Sequence, residues 1–247
     1  KIESTFSQPK TIRPRNFLLV GEPNNGKTSI LKVFAGSYPG SDDASAEALD
    51  RPVLYVMAPP EGQLRLLYVA ILRELNVRHA INITSADLAN LVTRMIKACG
   101  VKMIIVDEFH NILINRRIRN NTTNFLNHFR YMMNEWTLPI VCAGIPGQVE
   151  PLISYDEQIS SRFSAFTLPA WRVGANETKV LLNTLSAALP FDEPPDLIER
   201  EIRQAIVSQA NGRLGEIVNL VIEAAIEAVA SNTTITLSQI KSLRKKT

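Results

Sequence analysis

Residues 16–28 of the chain are NFLLVGEPNNGKT, and this stretch decides the fold. An apolar run of strand length leads directly into the spacing G-x-x-x-x-G-K-[ST], and a helical pattern follows over residues 27–35. In this context the glycines let backbone N–H groups turn toward phosphate oxygens, and the helix adds the positive end of its dipole. The alternative is a glycine turn with a chance Lys-Thr pair, and the flanking strand and helix count against it.

The loop therefore predicts a site for ATP with Mg²⁺. Lys27 is expected to reach the β- and γ-phosphates, and the Thr28 hydroxyl is expected to ligate magnesium. The candidate nucleotide-binding residues are Gly21, Glu22, Pro23, Asn24, Asn25, Gly26, Lys27, Thr28 and Ser29.

A second motif, IIVDE at residues 104–108, is an apolar run ending in two carboxylates. Asp107 would hold magnesium through water, and Glu108 would polarise the attacking water as a general base. A strand ending in Asp-Glu is common by itself. Here it lies about 80 residues beyond the phosphate loop, so both halves of one chemistry are present.

Apolar runs and helical patterns alternate along the chain, which predicts an α/β fold with a parallel sheet covered on both faces. The predicted strands are 16–20, 52–57, 102–107, 138–143 and 164–168, and the predicted C-terminal helices are 177–189, 196–210 and 214–230, followed by a short basic helix or tail at 236–247. We predict an N-terminal polar arm (1–15), a nucleotide-binding α/β domain (16–170), and a helical lid with a basic tail (171–247).

The composition is ordinary for a globular protein, with 45% hydrophobic and 21% charged residues in 247. No run of about 18 apolar residues is present, so no membrane span is expected, and no signal peptide is visible at the first residue. Cys99 and Cys142 lie in apolar stretches and are expected to be reduced and buried. The net charge of +3 is compatible with nucleic-acid binding through local basic patches.

Two basic features are further candidates. Arg162 precedes the predicted fifth strand and could reach the γ-phosphate of a neighbouring subunit; the alternative is a solvated arginine at a helix end. Arg116, Arg117 and Arg119 follow the Asp-Glu pair in an Asn-rich stretch of the type that contacts DNA phosphates. The alternative there is a solvated loop.

Several of these segments together resemble the TniB and TnsC transposition regulators, which are AAA+ ATPases. The similar stretches are residues 16–28, 51–75, 101–113 (VKMIIVDEFHNIL), 159–171 (ISSRFSAFTLPAW) and 212–221. The resemblance implies an AAA+ P-loop NTPase with a parallel five-stranded sheet and a small C-terminal α-helical lid. It makes Arg162 the arginine finger, acting in trans.

The resemblance also implies a role. Such proteins assemble with ATP on double-stranded DNA as rings or helical filaments of identical subunits. They link a TniQ-type target-selection factor to a DDE transposase of the TnsB or TniA type, and hydrolysis releases the assembly. A bacterial cytoplasmic, nucleoid-associated location is implied, with no membrane partner.

Two departures from the AAA+ pattern stand out. The end of the fourth predicted strand, VCAGIP at 141–146, contains no polar sensor residue. Arg213 is the candidate for the lid sensor, but the usual arginine position can instead be matched to Gly215. Both departures predict slow, regulated hydrolysis, as in a switch. The alternatives are another AAA+ role, such as a DnaC-type loader or an origin-recognition-type initiator, and an ATP-bound scaffold that does not hydrolyse at a useful rate.

Overall fold

The computed structural model describes residues 1–9, 13–41, 50–113 and 119–243. The chain divides into two compact units. The first consists of Lys1–Gly21 and Lys27–Thr167, and the second of Glu22–Gly26 and Leu168–Thr247.

The first unit contains a five-stranded sheet in which every pairing is parallel. Its strands are β1 (Asn16–Val20), β2 (Val53–Met57), β3 (Met103–Asp107), β4 (Ile140–Gly144) and β5 (Phe163–Thr167), in the order β2-β3-β4-β1-β5. The central strands β1, β3 and β4 are buried throughout, whereas the edge strand β5 is mostly exposed. The near-continuous apolar sequences of β1, β3 and β4 agree with burial of these strands on both faces of the sheet. The predicted parallel five-stranded sheet is confirmed.

Helices cover this sheet. They are α1 (Ile2–Phe6), α2 (Lys27–Gly36), α3 (Leu64–Glu74), α4 (Ser85–Ala98), α5 (Arg119–Trp136), α6 (Glu150–Ile153) and α7 (Glu157–Ser160). Short 3-10 turns occupy Pro60–Gly62 and Phe109–Leu113. Helix α4 begins at Ser85, where the Thr84 side chain caps it by accepting a 3.1 Å hydrogen bond from the Asp87 amide.

The first residues differ from the polar arm that the sequence suggests. Residues 2–6 form α1, Ile2 is buried, and the Phe6 ring lies 4.3 Å from the Tyr38 ring and 5.9 Å from the Phe34 ring. Aromatic packing thus fixes this segment against α2.

The core of the first unit lies between the sheet and its helices. Phe109, Phe125 and Phe129 are fully buried there and form one aromatic cluster. Cys99 and Cys142 are free and buried, as predicted. Trp136 is also buried, and its indole N–H donates to the Thr93 hydroxyl at 3.0 Å.

The C-terminal part of the second unit is helical, as predicted. Its helices are α8 (Asn176–Ala188), α9 (Arg200–Gln209), α10 (Leu214–Ala230) and α11 (Leu237–Leu243). A separate apolar core, which includes Leu182, Ile206, Ile217 and Val221, holds them together, and Trp171 packs against it. Of the basic tail, Lys241 lies in α11, whereas Arg244, Lys245 and Lys246 are outside the described residues. No helix in the described part of the chain is long and apolar enough to cross a membrane.

Candidate functional site

In the first unit, the phosphate-loop lysine and the Asp-Glu motif follow strands at the same edge of the sheet. β1 ends at Val20 and β3 ends at Asp107, and the Gly21 amide donates to the Gly144 carbonyl at 3.1 Å, at the end of β4. These are the carboxyl ends of parallel strands, where open α/β sheets bind ligands.

Asp107 is held at this end of the sheet by several hydrogen bonds. Its carboxylate is fully buried, and Oδ2 accepts hydrogen bonds from the Thr28 hydroxyl and the Tyr55 phenol, both at 2.7 Å. Oδ1 accepts from the Glu108 amide at 2.8 Å. Three donors compensate the desolvation of the carboxylate. The structure therefore brings together Thr28 and Asp107, the two residues that the sequence assigns to magnesium.

Tyr55 was not identified from the sequence. It lies in β2, and β2 pairs with β3 in parallel, so the phenol can reach the end of β3. Burial raises the pKa of Tyr55, and the hydrogen bond to Asp107 raises it further. The phenol therefore stays protonated and acts as a donor. The sequence shows only one phenolic hydroxyl within the apolar run PVLYVM, and the order of the strands is needed to see which residue it can reach.

The oxygens of Thr28 and Asp107 suit magnesium. Among the described residues there is no group of three or more His, Cys, Asp or Glu that could hold a metal ion. A nucleotide-bound Mg²⁺ does not need one, because it takes one or two protein oxygens together with phosphates and water. A hydroxyl and a carboxylate that share a 2.7 Å contact are a donor set of this kind.

Lys27 starts α2 and is 5% exposed. Its ammonium group donates to the Gly21 carbonyl at 2.8 Å, across the loop from its own backbone. A nearly buried cation at a helix N-terminus creates positive potential that favours an anion. Ser29 follows in the first turn of α2, where it is exposed.

Glu108 turns the chain sharply after β3. Its φ of 53° lies in the left-handed region, which costs a non-glycine residue about 1 kcal/mol. The Asn111 amide donates to its carbonyl at 2.8 Å, and its Oε2 lies 3.2 Å from Nε2 of His110. The Glu108 side chain remains 30% exposed. The predicted general base is thus held beside a histidine to which the sequence assigned no role.

The His110 side chain is 8% exposed, and burial lowers its pKa more than the nearby Glu108 raises it. The imidazole is therefore neutral near pH 7, and with its proton on Nε2, the nitrogen that faces the carboxylate, it can donate to Glu108. Nδ1 is buried and has no hydrogen-bond partner among the described residues. The Asp-Glu-x-His spacing placed His110 in a recognisable motif, but its contact with Glu108 depends on the turn at residue 108.

In the second unit, loop residues 22–26 contact the start of α10. Asn24 has a φ of 63°, its carbonyl accepts from the Gly215 amide at 2.8 Å, and its side-chain amide donates to Glu216 at 3.0 Å. A Cβ at residue 215 would lie 2.5 Å from the Asn24 side chain, so a larger residue there requires Asn24 to move.

Arg213 and Asn25 lie in the same region. The guanidinium of Arg213 lies 3.7 Å from the Glu22 carboxylate, and both side chains are about half exposed. Asn25 is buried and makes long contacts of 3.4 Å with the Pro169 carbonyl and the Leu214 amide. Gly26 has a φ of 83°, and Pro23 is exposed.

Arg162 lies at the amino ends of the parallel strands, directly before β5, whereas Asp107 lies at their carboxyl ends. Its carbonyl accepts from the Asn16 amide at 2.7 Å, just before β1 and β5 begin in parallel. Five residues per strand at about 3.3 Å each separate the two edges by roughly 16 Å, which is beyond the reach of an arginine side chain. Burial lowers the pKa of Arg162, the charge of Arg13 lowers it further, and Asp156 opposes both. The Arg162 side chain is therefore out of reach of Asp107 in the same chain.

The remaining sequence candidates divide clearly. At the end of β4, Cys142, Ala143 and Gly144 are buried and offer no polar side chain other than the thiol. Arg116 and Arg117, two predicted DNA contacts, lie outside the described residues, and Arg119 begins α5.

The sheet order and the elements at its carboxyl edge define the fold of the AAA+ P-loop ATPases. The TniB family, described as bacterial TniB protein, matches residues 1–173. The chain therefore belongs to the TniB family. No curated protein sequence matches it significantly.

Three solved structures illustrate the similarity of fold. Aeropyrum pernix ORC2 in its ADP form has a TM-score of 0.67 at 15% identity, and the match covers 94% of this chain and 62% of that one. Aeropyrum pernix ORC1 in complex with DNA has a TM-score of 0.64 at 16% identity, and the match covers 95% of this chain and 60% of that one. The Thermotoga maritima RuvB Holliday junction branch migration motor has a TM-score of 0.52 at 14% identity, and the match covers 93% of this chain and 60% of that one. The chain thus spans about three fifths of each of these proteins, and at such identities the similarity concerns the fold alone.

Proposed function

We propose that this protein is an ATP-dependent, DNA-binding regulator of transposition that hydrolyses ATP slowly. The observation that carries the ATP site is the 2.7 Å contact between Thr28 and Asp107, which joins the two motifs at one edge of the sheet. Membership of the TniB family supports the role in transposition.

In this proposal the phosphate loop, Gly21 to Ser29, binds the triphosphate. Lys27 leaves the Gly21 carbonyl to contact the β- and γ-phosphates, since its ammonium has three donors and a flexible stem. Thr28 and Asp107 hold Mg²⁺, which neutralises charge on the phosphates when bound. Glu108 accepts the proton of the attacking water as the general base.

Arg162 completes the site of a neighbouring subunit. Its position at the opposite sheet edge from Asp107 supports action in trans and, with it, a homo-oligomer in the form of a ring or helical filament. Guanidinium groups supplied in this way stabilise charge in the transition state. Arg213, 3.7 Å from Glu22, is the proposed lid sensor.

The assembly is proposed to form on double-stranded DNA, with Arg116, Arg117 and Arg119 as phosphate contacts. It would link a TniQ-type factor to a DDE transposase of the TnsB or TniA type, and hydrolysis would end the association. Co-purification with such a transposase is the expected result. Co-purification with a replicative helicase would instead favour a loader.

The alternative of a non-hydrolysing scaffold has specific support. β4 ends without a conventional polar sensor, and Glu108 is in contact with His110. Turnover measured with and without DNA and transposase separates the two: a switch has a basal rate that these partners raise, and a scaffold has none.

The central test is Lys27→Ala. It removes a charged donor to the phosphates, so we expect ATP affinity to fall by about tenfold or more, and ATP-dependent DNA binding to be lost. Glu108→Gln should bind ATP and DNA but prolong the complex. Lys179→Ala, an exposed lysine in α8, is the matched control. ATP-dependent assembly of Lys27→Ala at the wild-type level would refute the proposal.

A further inference from the structure

The contact between Glu108 and His110 differs from the other contacts at the site because one partner is fixed and the other can move. His110 lies in the 3-10 turn Phe109–Leu113, and the neighbouring Phe109 is fully buried. The Phe109 ring lies 5.1 Å from Phe129 and 6.2 Å from Phe125. The turn that carries the imidazole is therefore anchored in the core, whereas the Glu108 carboxylate is at a partly open position.

We infer that His110 is a positioning residue that restrains Glu108 and thereby limits basal ATP hydrolysis. This inference rests on the proposed function, since it concerns regulation of the same site. It assigns the low turnover to a specific contact, the 3.2 Å approach of Nε2 of His110 to Oε2 of Glu108.

The restraint follows from the chemistry of a general base. Glu108 must accept a proton from water, and an N–H donor that approaches its carboxylate occupies a lone pair that the water needs. The left-handed backbone at Glu108, tied by the Asn111 amide and by the bond from the Glu108 amide to Asp107, directs the side chain toward the turn. A change of side-chain rotamer at Glu108 is enough to release it.

The imidazole has no competing partner among the described residues. Nδ1 is buried and unpaired there, and the Glu108 carboxylate is the group that Nε2 approaches, at 3.2 Å. Loss of the contact leaves both ring nitrogens of His110 without a partner among the described residues, which favours its return. The Glu108 side chain thus has a restrained position, in contact with His110, and a released one, and the restrained position is favoured.

The experiment compares two kinds of substitution in the full chain, with ATP turnover measured in the absence of DNA and other proteins. His110→Leu removes the donor, and we expect kcat to rise about tenfold with the KM for ATP unchanged. His110→Met provides a second variant without the donor if His110→Leu does not fold. His110→Gln keeps an N–H donor at similar reach and should remain near the wild-type kcat.

The double variant Glu108→Gln/His110→Leu should lose the additional turnover, which would show that it passes through Glu108. A kcat of either donor-free variant at or below the wild-type value, with ATP affinity retained, would overturn the inference. A wild-type chain that neither binds nor hydrolyses ATP, or a Lys27→Ala variant that turns over ATP normally, would refute the proposed function instead. The two failures are therefore distinguishable.

Discussion

At the scale of single residues, the environment of Asp107 accounts for most of the site. A fully buried carboxylate is expensive unless donors satisfy it, and here a threonine hydroxyl, a tyrosine phenol and a backbone amide do so. The same donors fix the orientation of both oxygens. Tyr55 therefore acts through Asp107, although it lies on a strand that carries none of the sequence motifs.

Tyr55→Phe tests that role. It removes one donor from Asp107, so we expect the free energy of unfolding to fall by about 1 kcal/mol and the Mg²⁺ concentration for half-maximal turnover to rise. Chemical denaturation and a magnesium titration of turnover measure the two effects. Tyr131→Phe, at an exposed position on α5, is the control. Identical magnesium dependence in the wild type and Tyr55→Phe would remove Tyr55 from the site.

His110 predicts a pH dependence of stability. Its pKa is lowered in the folded chain, chiefly by burial, with Lys27 contributing, so the unfolded chain binds this proton more readily. The free energy of unfolding therefore decreases as the pH falls from 6.5, the ordinary pKa of histidine, to the lower pKa of His110 in the folded chain. Below that pKa it decreases no further on account of His110. We expect the Tm of the wild type to fall more than that of His110→Gln between pH 7.5 and 5. An equal fall in Tm for the wild type and His110→Gln would contradict this prediction.

The residues of the proposed ATP site could be predicted because their spacing is local in sequence. Lys27 and Thr28 follow the glycines directly, Asp107 ends an apolar strand, and Glu108 comes next. Tyr55 and the contact of His110 could not be predicted, since one depends on the neighbour that β2 acquires and the other on a backbone turn at Glu108.

At the scale of elements, the short helix α7 supports the position of Arg162. The Asp156 side chain caps α7 by accepting from the Gln158 amide at 2.7 Å, and it also accepts from the Arg130 guanidinium of α5 at 2.7 Å. The Arg130–Asp156 pair is only partly exposed, so solvent screens it less than an ordinary surface pair. One carboxylate thus ties the start of β5 to α5.

Asp156→Ala should loosen this support. Loss of the cap and the ion pair costs about 1–2 kcal/mol and displaces Arg162. We expect ATP affinity to be retained and DNA-stimulated turnover to fall, as equilibrium ATP binding and steady-state hydrolysis would measure. Asp192→Ala, an exposed aspartate of the second unit, should change neither. Unchanged stimulation would mean that Arg162 does not depend on α7.

Element boundaries followed from the sequence where apolar periodicity was long. β1 (Asn16–Val20) and α10 (Leu214–Ala230) have the predicted bounds, because an apolar strand and an apolar helical pattern mark them. α1, α6 and α7 have only four or five residues, too few to show a helical period. The order of the strands depends on crossover connections and cannot be derived from apolar runs alone.

At the scale of the whole molecule, the proposal that Arg162 acts in trans makes the ATP site dependent on a second copy of the chain. Neither variant of a complementary pair should then be active alone. Lys27→Ala lacks the phosphate contact but retains Arg162, and Arg162→Ala has the reverse defect.

Mixing these two variants on DNA should restore part of the turnover, because some interfaces combine an intact loop with an intact arginine. Steady-state hydrolysis at increasing mixing ratios measures this, and each variant mixed with itself is the control. A mixture no more active than its components would contradict action in trans. The fold class itself could be predicted from the sequence, since alternating strands and helices admit few architectures, whereas an interface leaves no periodic signature.

The hydrogen bond from the Gly215 amide to the Asn24 carbonyl has one more consequence. Amides in the first turn of a helix have no intrahelical acceptor, so the exchange of this proton with solvent is independent of unfolding of α10. It occurs when the phosphate loop separates from that amide. The rate of deuterium uptake at the Gly215 amide should therefore report how often the loop opens, and this rate should change when ATP is added.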